Sequence, residues 1–124
     1  MTIQRINSIS SLTGRINVPG DKSISHRTLM LAALANGKSE ISGLNSGQDV
    51  RQTQLIISAL GAKVENDKGT CLVEGGKLKT PNQVLNVGNS GTGIRLLTGL
   101  LSGIPLRAAI DGDSVLVAAG TYVE

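Results

Sequence analysis

Aromatic residues are almost absent from these 124 residues: there is no Phe and no Trp, and Tyr122 is the only tyrosine. A chain so poor in π-faces cannot build the stacking platforms that bind single-stranded nucleic acid, and no dense Lys/Arg block compensates. Nucleic acid is therefore not an expected partner. The core must instead be packed from Leu, Ile, Val and Ala, with 16 glycines allowing helices and sheets to approach closely. Cysteine is equally scarce. Cys71 stands alone, which rules out an internal disulfide and a cysteine-based metal site; within an expected strand it reads as a small buried hydrophobe. No apolar run reaches the roughly 18 residues that a membrane span needs. The opening MTIQRINSIS lacks the charged-then-apolar layout of a signal peptide. A cytoplasmic protein that does not engage the membrane is the expectation.

What is present fits one globular domain. Apolar residues make up 40% of the chain and charged residues 17%, enough of the former to bury a core. The net charge of +3 is mild and suits an anionic small molecule at least as well as a polyanion.

Short alternating apolar patterns predict strands at Ile3–Ile9 and Leu12–Val18. After a turn at Pro19-Gly20-Asp21, Ser23–Asn36 reads as a helix. Its apolar residues Ile24, Leu29, Met30, Leu31, Ala33 and Leu34 cover most of the circumference, so it is expected to be largely buried. Gly37 stops it. A strand follows at Ser39–Leu44, then a helix capped by Asp49 that runs to Leu60 and ends at Gly61. Ala62–Glu65 and Thr70–Glu74 are expected strands around a turn at Asn66–Gly69. Val84–Val87 is another, followed by a helix ending at Ser102, and Leu106–Ile110 and Val115–Ala118 complete the set. Strand, polar Gly/Ser turn, arginine, Leu-rich helix and glycine stop thus occur twice, with Arg27 and Arg95 as matching points in the first turns of their helices. The expected class is α/β: repeated βα units with helices packed on small sheets.

Two loops carry the candidate chemistry. PGDKSISHR, Pro19 to Arg27, crowds Lys22, Ser23, Ser25, His26 and Arg27 at a helix entrance, where free N–H groups and a partial positive charge attract anions. Ser23 and Arg27 share a helical face, and Lys22 reaches the same point, so the three can converge on one phosphate. A serine that only caps the helix, beside solvated cations, is the plainer reading of any single residue here. The density of the group favours convergence. The ATP-binding P-loop spacing fails, because Asp21 separates Gly20 from Lys22 and the residue five before Gly20 is Arg15.

The second loop, GNSGTGIR from Gly88 to Arg95, also opens a helix. Gly91 and Gly93 let a ligand approach the backbone, Asn89, Ser90 and Thr92 offer polar groups, and Arg95 adds a cation. It is not a dinucleotide fingerprint, since Leu96 stands where the last glycine belongs. Taken alone it reads as a capped helix; its weight comes from pairing with the first loop. His26, the only histidine, reads either as a catalytic group or as a hydrogen-bonding support for the basic cluster.

Val18-Pro-Gly-Asp-Lys-Ser-Ile-Ser-His-Arg27 closely resembles the N-terminal signature of the 5-enolpyruvylshikimate-3-phosphate synthase family, and Leu85-Asn-Val-Gly-Asn-Ser-Gly-Thr-Gly-Ile-Arg95 resembles its second. Asp49-Val-Arg51 and Leu60-Gly-Ala62 fit the same pattern, and the resemblance runs from about Leu12 to Asp113. It implies a part of an enolpyruvyl-transferase-like domain, an inside-out α/β barrel. Residues 1–124 would form a single truncated domain of that kind, with 1–19 resembling the strands that join a second domain.

The implied activity is transfer of enolpyruvyl from phosphoenolpyruvate to the 5-hydroxyl of shikimate 3-phosphate, in the shikimate pathway to aromatic amino acids, with no metal and no organic cofactor. By the same resemblance Lys22, Ser23 and Arg27 contact shikimate 3-phosphate, and Lys22, the implied catalytic residue, also faces phosphoenolpyruvate. Gly91 lies where phosphoenolpyruvate or the herbicide glyphosate binds, framed by Asn89, Thr92 and Arg95. A complementary C-terminal half is the implied protein partner.

Two departures accompany the resemblance. The family continues Gly-Asp-x-Ser-Leu-x-x-Arg-Pro, whereas Ala119 and Gly120 stand here in place of the arginine and proline. Family members are also several hundred residues long, with the site between two domains. A noncatalytic anion-binding fragment is therefore the alternative from another class. A UDP-N-acetylglucosamine enolpyruvyl transferase relative is a further alternative, which Lys22-Ser23-Ile24-Ser25-His26-Arg27 fits poorly.

Overall fold

A computed structural model describes residues 2–113 of the chain. Its elements in chain order are α1 (Lys22–Leu34), β1 (Gly37–Ser42), α2 (Gln48–Ala59), β2 (Lys63–Asp67), β3 (Thr70–Gly75), β4 (Leu85–Asn86), α3 (Gly91–Ser102) and β5 (Ile110–Asp111). β1, β3 and β2 form an antiparallel sheet in that order, and β4 and β5 form a parallel pair. The β2–β3 hairpin turns on Lys68 and Gly69, whose φ values of 45° and 82° are the left-handed pair a two-residue connection requires. In register, Val73 lies between Ser39 and Val64, and Cys71 between Ile41 and Asn66. Val73 and Cys71 therefore share the inward face of the central strand, and both are buried.

Two hydrophobic cores flank the α1–α2 pair. Leu29, Ala32, Ala33, Val50 and Ile57 pack with Ala62, Cys71 and Val73 of the three-stranded side. Met30, Ile56 and Leu60 pack with Leu85, Val87, Leu97 and Leu101 on the other. Successive residues on a helix point about 100° apart, so Leu29 and Met30, like Ile56 and Ile57, feed opposite cores. The helices thus form a middle layer between the small sheets, as expected of helices packed on them.

Several expectations are corrected. Residues 2–19 contain no helix or strand, and Ile3, Ile6, Ile9, Leu12, Ile16 and Val18 are exposed. Alternation marks a two-faced segment, but a strand exists only with a hydrogen-bonding neighbour, and none of the described residues pairs there. α1 is not buried all round: Ile24 and Leu31 are each 64% exposed, because the two cores occupy only part of its circumference. The final sheet strand shrinks from Leu106–Ile110 to β5, since only Ile110 and Asp111 find partners on β4. The Val115–Ala118 strand, and Ala119 with it, lie outside the described residues. Among the described residues no helix is long and apolar enough to cross a membrane.

Candidate functional site

The first loop is organised by an aspartate cap, and the alternative of a capping Ser23 does not hold. Asp21 is the N-cap of α1, and its carboxylate accepts from the Ile24 amide at 2.7 Å. Capping by Asp at this position satisfies one of the free N–H groups of the first turn and leaves Ser23, half-buried, outside that role. Ser25 turns inward. Its hydroxyl donates to the Asp21 carbonyl at 2.6 Å and accepts from the Asn45 amide at 3.0 Å, while the Asn45 side chain donates to the Gly20 carbonyl at 2.8 Å. Gly20 has to be glycine here, because an added Cβ would lie 2.0 Å from the Gly43 carbonyl oxygen. Lys22 and Arg27, in contrast, stay exposed.

Asp49 is not the cap of α2. Gly47 occupies that position without a side-chain bond, and Asp49 sits in the first turn, where its carboxylate pairs with the Lys22 ammonium. This contact brings the N-termini of α1 and α2 together. A second contact lies one turn deeper: His26 Nδ1 is 2.7 Å from Thr53 Oγ1, and that hydroxyl lies 3.3 Å from the Asp49 carbonyl oxygen. With the hydroxyl donating to the carbonyl, its oxygen accepts from Nδ1–H. Nε2 then carries the lone pair, buried and without a partner among the described residues. His26 is fully buried. Burial pushes its pKa below the ordinary value of 6.5; Asp49 opposes the shift, and the nearby Lys22 and Arg27 add to it.

The second loop joins the same junction. Ser90 is the N-cap of α3, its buried hydroxyl accepting from the Gly93 amide at 2.9 Å. The side of Gly93 that would carry a Cβ faces both Ser90 Oγ, at 2.7 Å, and His26 Cε1, at 3.9 Å. Asn89 and Gly88, with Asp49, Gln48, Gln52, Val87 and Asp113, line a cavity of about 150 Å³. The starts of α1, α2 and α3 therefore meet at one point. Gly91 opens α3, Thr92 beside it is half-buried, and Arg95 folds back so that its guanidinium donates to the Gly91 carbonyl at 2.9 Å. Arg27 and Arg95 stand in the second turns of their helices, not the first, because α1 begins at Lys22 and α3 at Gly91.

Sequence reasoning identified the two loops but missed the third partner, the start of α2. The available signal was an aspartate following Gly47-Gln48 at a helix entrance, where an acid in the first turn reads equally well as helix-dipole compensation.

Three helix N-termini and a group of cationic and hydroxyl side chains thus meet on an α/β layer of helices packed on small sheets. The chain belongs to the EPSP synthase (3-phosphoshikimate 1-carboxyvinyltransferase) family, whose model matches residues 6–118. It is 54% identical over 114 residues to a 3-phosphoshikimate 1-carboxyvinyltransferase of Nitrobacter winogradskyi, covering 86% of this chain and 25% of that protein. Against the protein of the same name from Lactococcus lactis subsp. cremoris the identity is 46%, covering 90% of this chain and 26% of the other. The structure of EPSP synthase from Acinetobacter baumannii superposes with a TM-score of 0.74 at 38% identity, over 82% of this chain and 24% of that one. The chain thus spans about a quarter of the length of the curated relatives it matches.

Proposed function

We propose that this chain supplies the shikimate 3-phosphate wall of an enolpyruvyl-transfer site. In that reaction the 5-hydroxyl of shikimate 3-phosphate gives up its proton as its oxygen bonds to C2 of phosphoenolpyruvate, while the methylene carbon takes up a proton, giving a tetrahedral adduct. The adduct then loses a proton from the new methyl group and breaks its C–O bond to phosphate, releasing inorganic phosphate and the enolpyruvyl ether. Lys22, Ser23 and Arg27 hold the phosphate of shikimate 3-phosphate, with Lys22 also facing phosphoenolpyruvate. Asn89, Gly91, Thr92 and Arg95 frame the phosphoenolpyruvate or glyphosate position. Residues 1–19 are assigned to pairing with a complementary part of such an enzyme, which their exposed apolar side chains favour.

The observation that carries this reading is the meeting of three helix N-termini beside Lys22 and Arg27. Each terminus presents about half a positive charge, and a phosphate carries about −1.5 to −2. Preorganised donors of this kind can hold anions and also stabilise the charge that develops in the adduct. A binding-only role for the same residues draws on Arg95, whose guanidinium is engaged by its own helix and would have to turn to meet a second anion.

The test is titration of the 124-residue chain with shikimate 3-phosphate, followed by calorimetry or NMR. Arg27→Ala is expected to weaken binding by about 1.5–3 kcal/mol, the worth of a hydrogen bond to a charged group, with little effect on unfolding, since Arg27 is exposed. Equal affinity in parent and variant counts against the site. Phosphate release from a mixture of shikimate 3-phosphate and phosphoenolpyruvate separates transfer from binding alone.

A further inference from the structure

His26 touches no solvent and lies behind the exposed cations, yet it is the side chain on which the three helix starts meet. It leaves α1 one residue before Arg27 and binds Thr53 of α2 through Nδ1 at 2.7 Å. Its ring also faces the first turn of α3 at Gly93. Thr53 in turn reaches the carbonyl of Asp49, the residue whose carboxylate pairs with Lys22. Gly93 reaches the Ser90 hydroxyl that caps α3, next to Asn89 and Gly91. The imidazole therefore lies between the two loops, bonded to α2 on one side and facing α3 on the other.

Hydrophobic burial alone does not account for this arrangement. A buried ring with one unpartnered nitrogen costs stability compared with an apolar side chain of similar size. What the imidazole adds is direction: the Nδ1–H bond fixes the rotation of the ring, and with it which edge faces the open side of Gly93 at the start of α3. Packed interiors transmit such constraints because they have few voids to absorb them.

We propose that His26, oriented by Thr53, is a positioning residue that sets the spacing and rotation of the Lys22–Arg27 loop against the Gly88–Arg95 loop. It touches no ligand and acts through the residues on either side of it. This inference rests on the reading of the two loops as one anion site, and the experiment separates failure of one from failure of the other.

The experiment compares the parent 124-residue chain with Thr53→Val, which keeps the shape and removes the hydroxyl, and with His26→Leu and His26→Asn. Asn can restore a polar contact toward Thr53. Lys22→Ala serves as the control for the anion site. The first readout needs no ligand: backbone amide resonances in NMR. Thr53→Val is expected to move the amides of Lys22 and of Asn89 to Gly93 together, although Thr53 lies on neither loop. Changes confined to α2 and the immediate surroundings of His26 overturn the positioning role.

The second readout is affinity for shikimate 3-phosphate. Thr53→Val and His26→Leu are each expected to weaken it about two- to tenfold, as loss of one neutral hydrogen bond would. The double variant should be no weaker than the worse single one, and His26→Asn should recover part of the loss. A purely structural His26 would lower the urea midpoint and leave both the loop resonances and the affinity of the folded protein unchanged. Folded Thr53→Val and His26→Asn chains that bind as the parent does, while Lys22→Ala loses binding, overturn this proposal and leave the anion site standing. Lys22→Ala binding as tightly as the parent overturns the anion site itself. Should Thr53→Val not fold, His26→Asn is read by the same two criteria.

Discussion

Lowering the pH through the histidine range is expected to destabilise the chain, and His26 makes the effect calculable. In the folded protein its pKa lies below 6.5, first because burial penalises the imidazolium and then because Lys22 and Arg27 stand near it, with Asp49 in partial opposition. The geometry supplies the same direction independently. A second proton would have to sit on Nε2, which has no acceptor among the described residues. In the unfolded chain the ring titrates at about 6.5. Below that value the unfolded state binds a proton that the folded state refuses, so stability falls as the pH drops and rises with pH across the same interval. Above about 6.5 neither state is protonated and the contribution is complete; once the pH passes below the folded pKa the loss is complete and the slope returns to zero. One proton corresponds to a slope of at most about 1.4 kcal/mol per pH unit. Urea unfolding at steps between about pH 5.5 and 7.5, above the range where carboxylates titrate, measures it. His26→Asn, which cannot titrate, should flatten the curve in that interval. Equal slopes for parent and variant would refute the assignment of a buried neutral imidazole, and a parent that gains stability on acidification would reverse its sign.

Two packing predictions can be checked by the same unfolding assay. Gly75→Ala places a Cβ 2.2 Å from the Ala32 carbonyl oxygen and 2.5 Å from that of Ala33; backbone atoms cannot step aside, so a cost at the upper end of about 1–3 kcal/mol is expected, and an unchanged midpoint would contradict the close seating of β3 on the end of α1. Leu29→Ala, at a fully buried position, should cost about 2–5 kcal/mol, whereas Leu31→Ala, at 64% exposure on the same helix, should stay within about 0.5 kcal/mol; equal losses would mean that the outer face of α1 is covered.

The helices were legible in the sequence because their punctuation is local. Gly37, Gly61 and Gly103 follow helices that end at Leu34, Ala59 and Ser102, and the glycine in the β2–β3 turn has the positive φ its position demands. The N-terminal strands were not legible in the same sense. The spacing of Ile3, Ile6, Leu12 and Val18 describes what those side chains would do if a neighbour were present, and carries no information on whether the described residues contain one. The burial of α1 failed for a related reason. Apolar residues all round a helix imply cover on all sides, but the two cores leave Ile24 and Leu31 outside. Periodicity reports the faces of an element, whereas tertiary partners decide which faces are used.

The candidate site divides along the same line. Lys22 and Arg27 stood out because several donors crowd one helix entrance, a feature contained in one short window. Asp49 did not, because its significance comes from a partner distant in sequence. The physical need for it can nevertheless be reconstructed. Three helix N-termini brought together beside Lys22 and Arg27 repel one another, and like charges gathered at one point oppose the packing that gathers them. A neutral His26 at the centre avoids adding a further charge, and its depressed pKa keeps it neutral. Asp49, in the first turn of α2, supplies an internal counter-charge and also fixes the direction of the Lys22 side chain. A lysine on a flexible stem loses considerable rotamer freedom when held. An ion pair present before any ligand arrives has already met part of that cost. The feature hardest to read from the sequence, a carboxylate whose partner lies on another helix, is thus what holds the most legible cation, Lys22, in place.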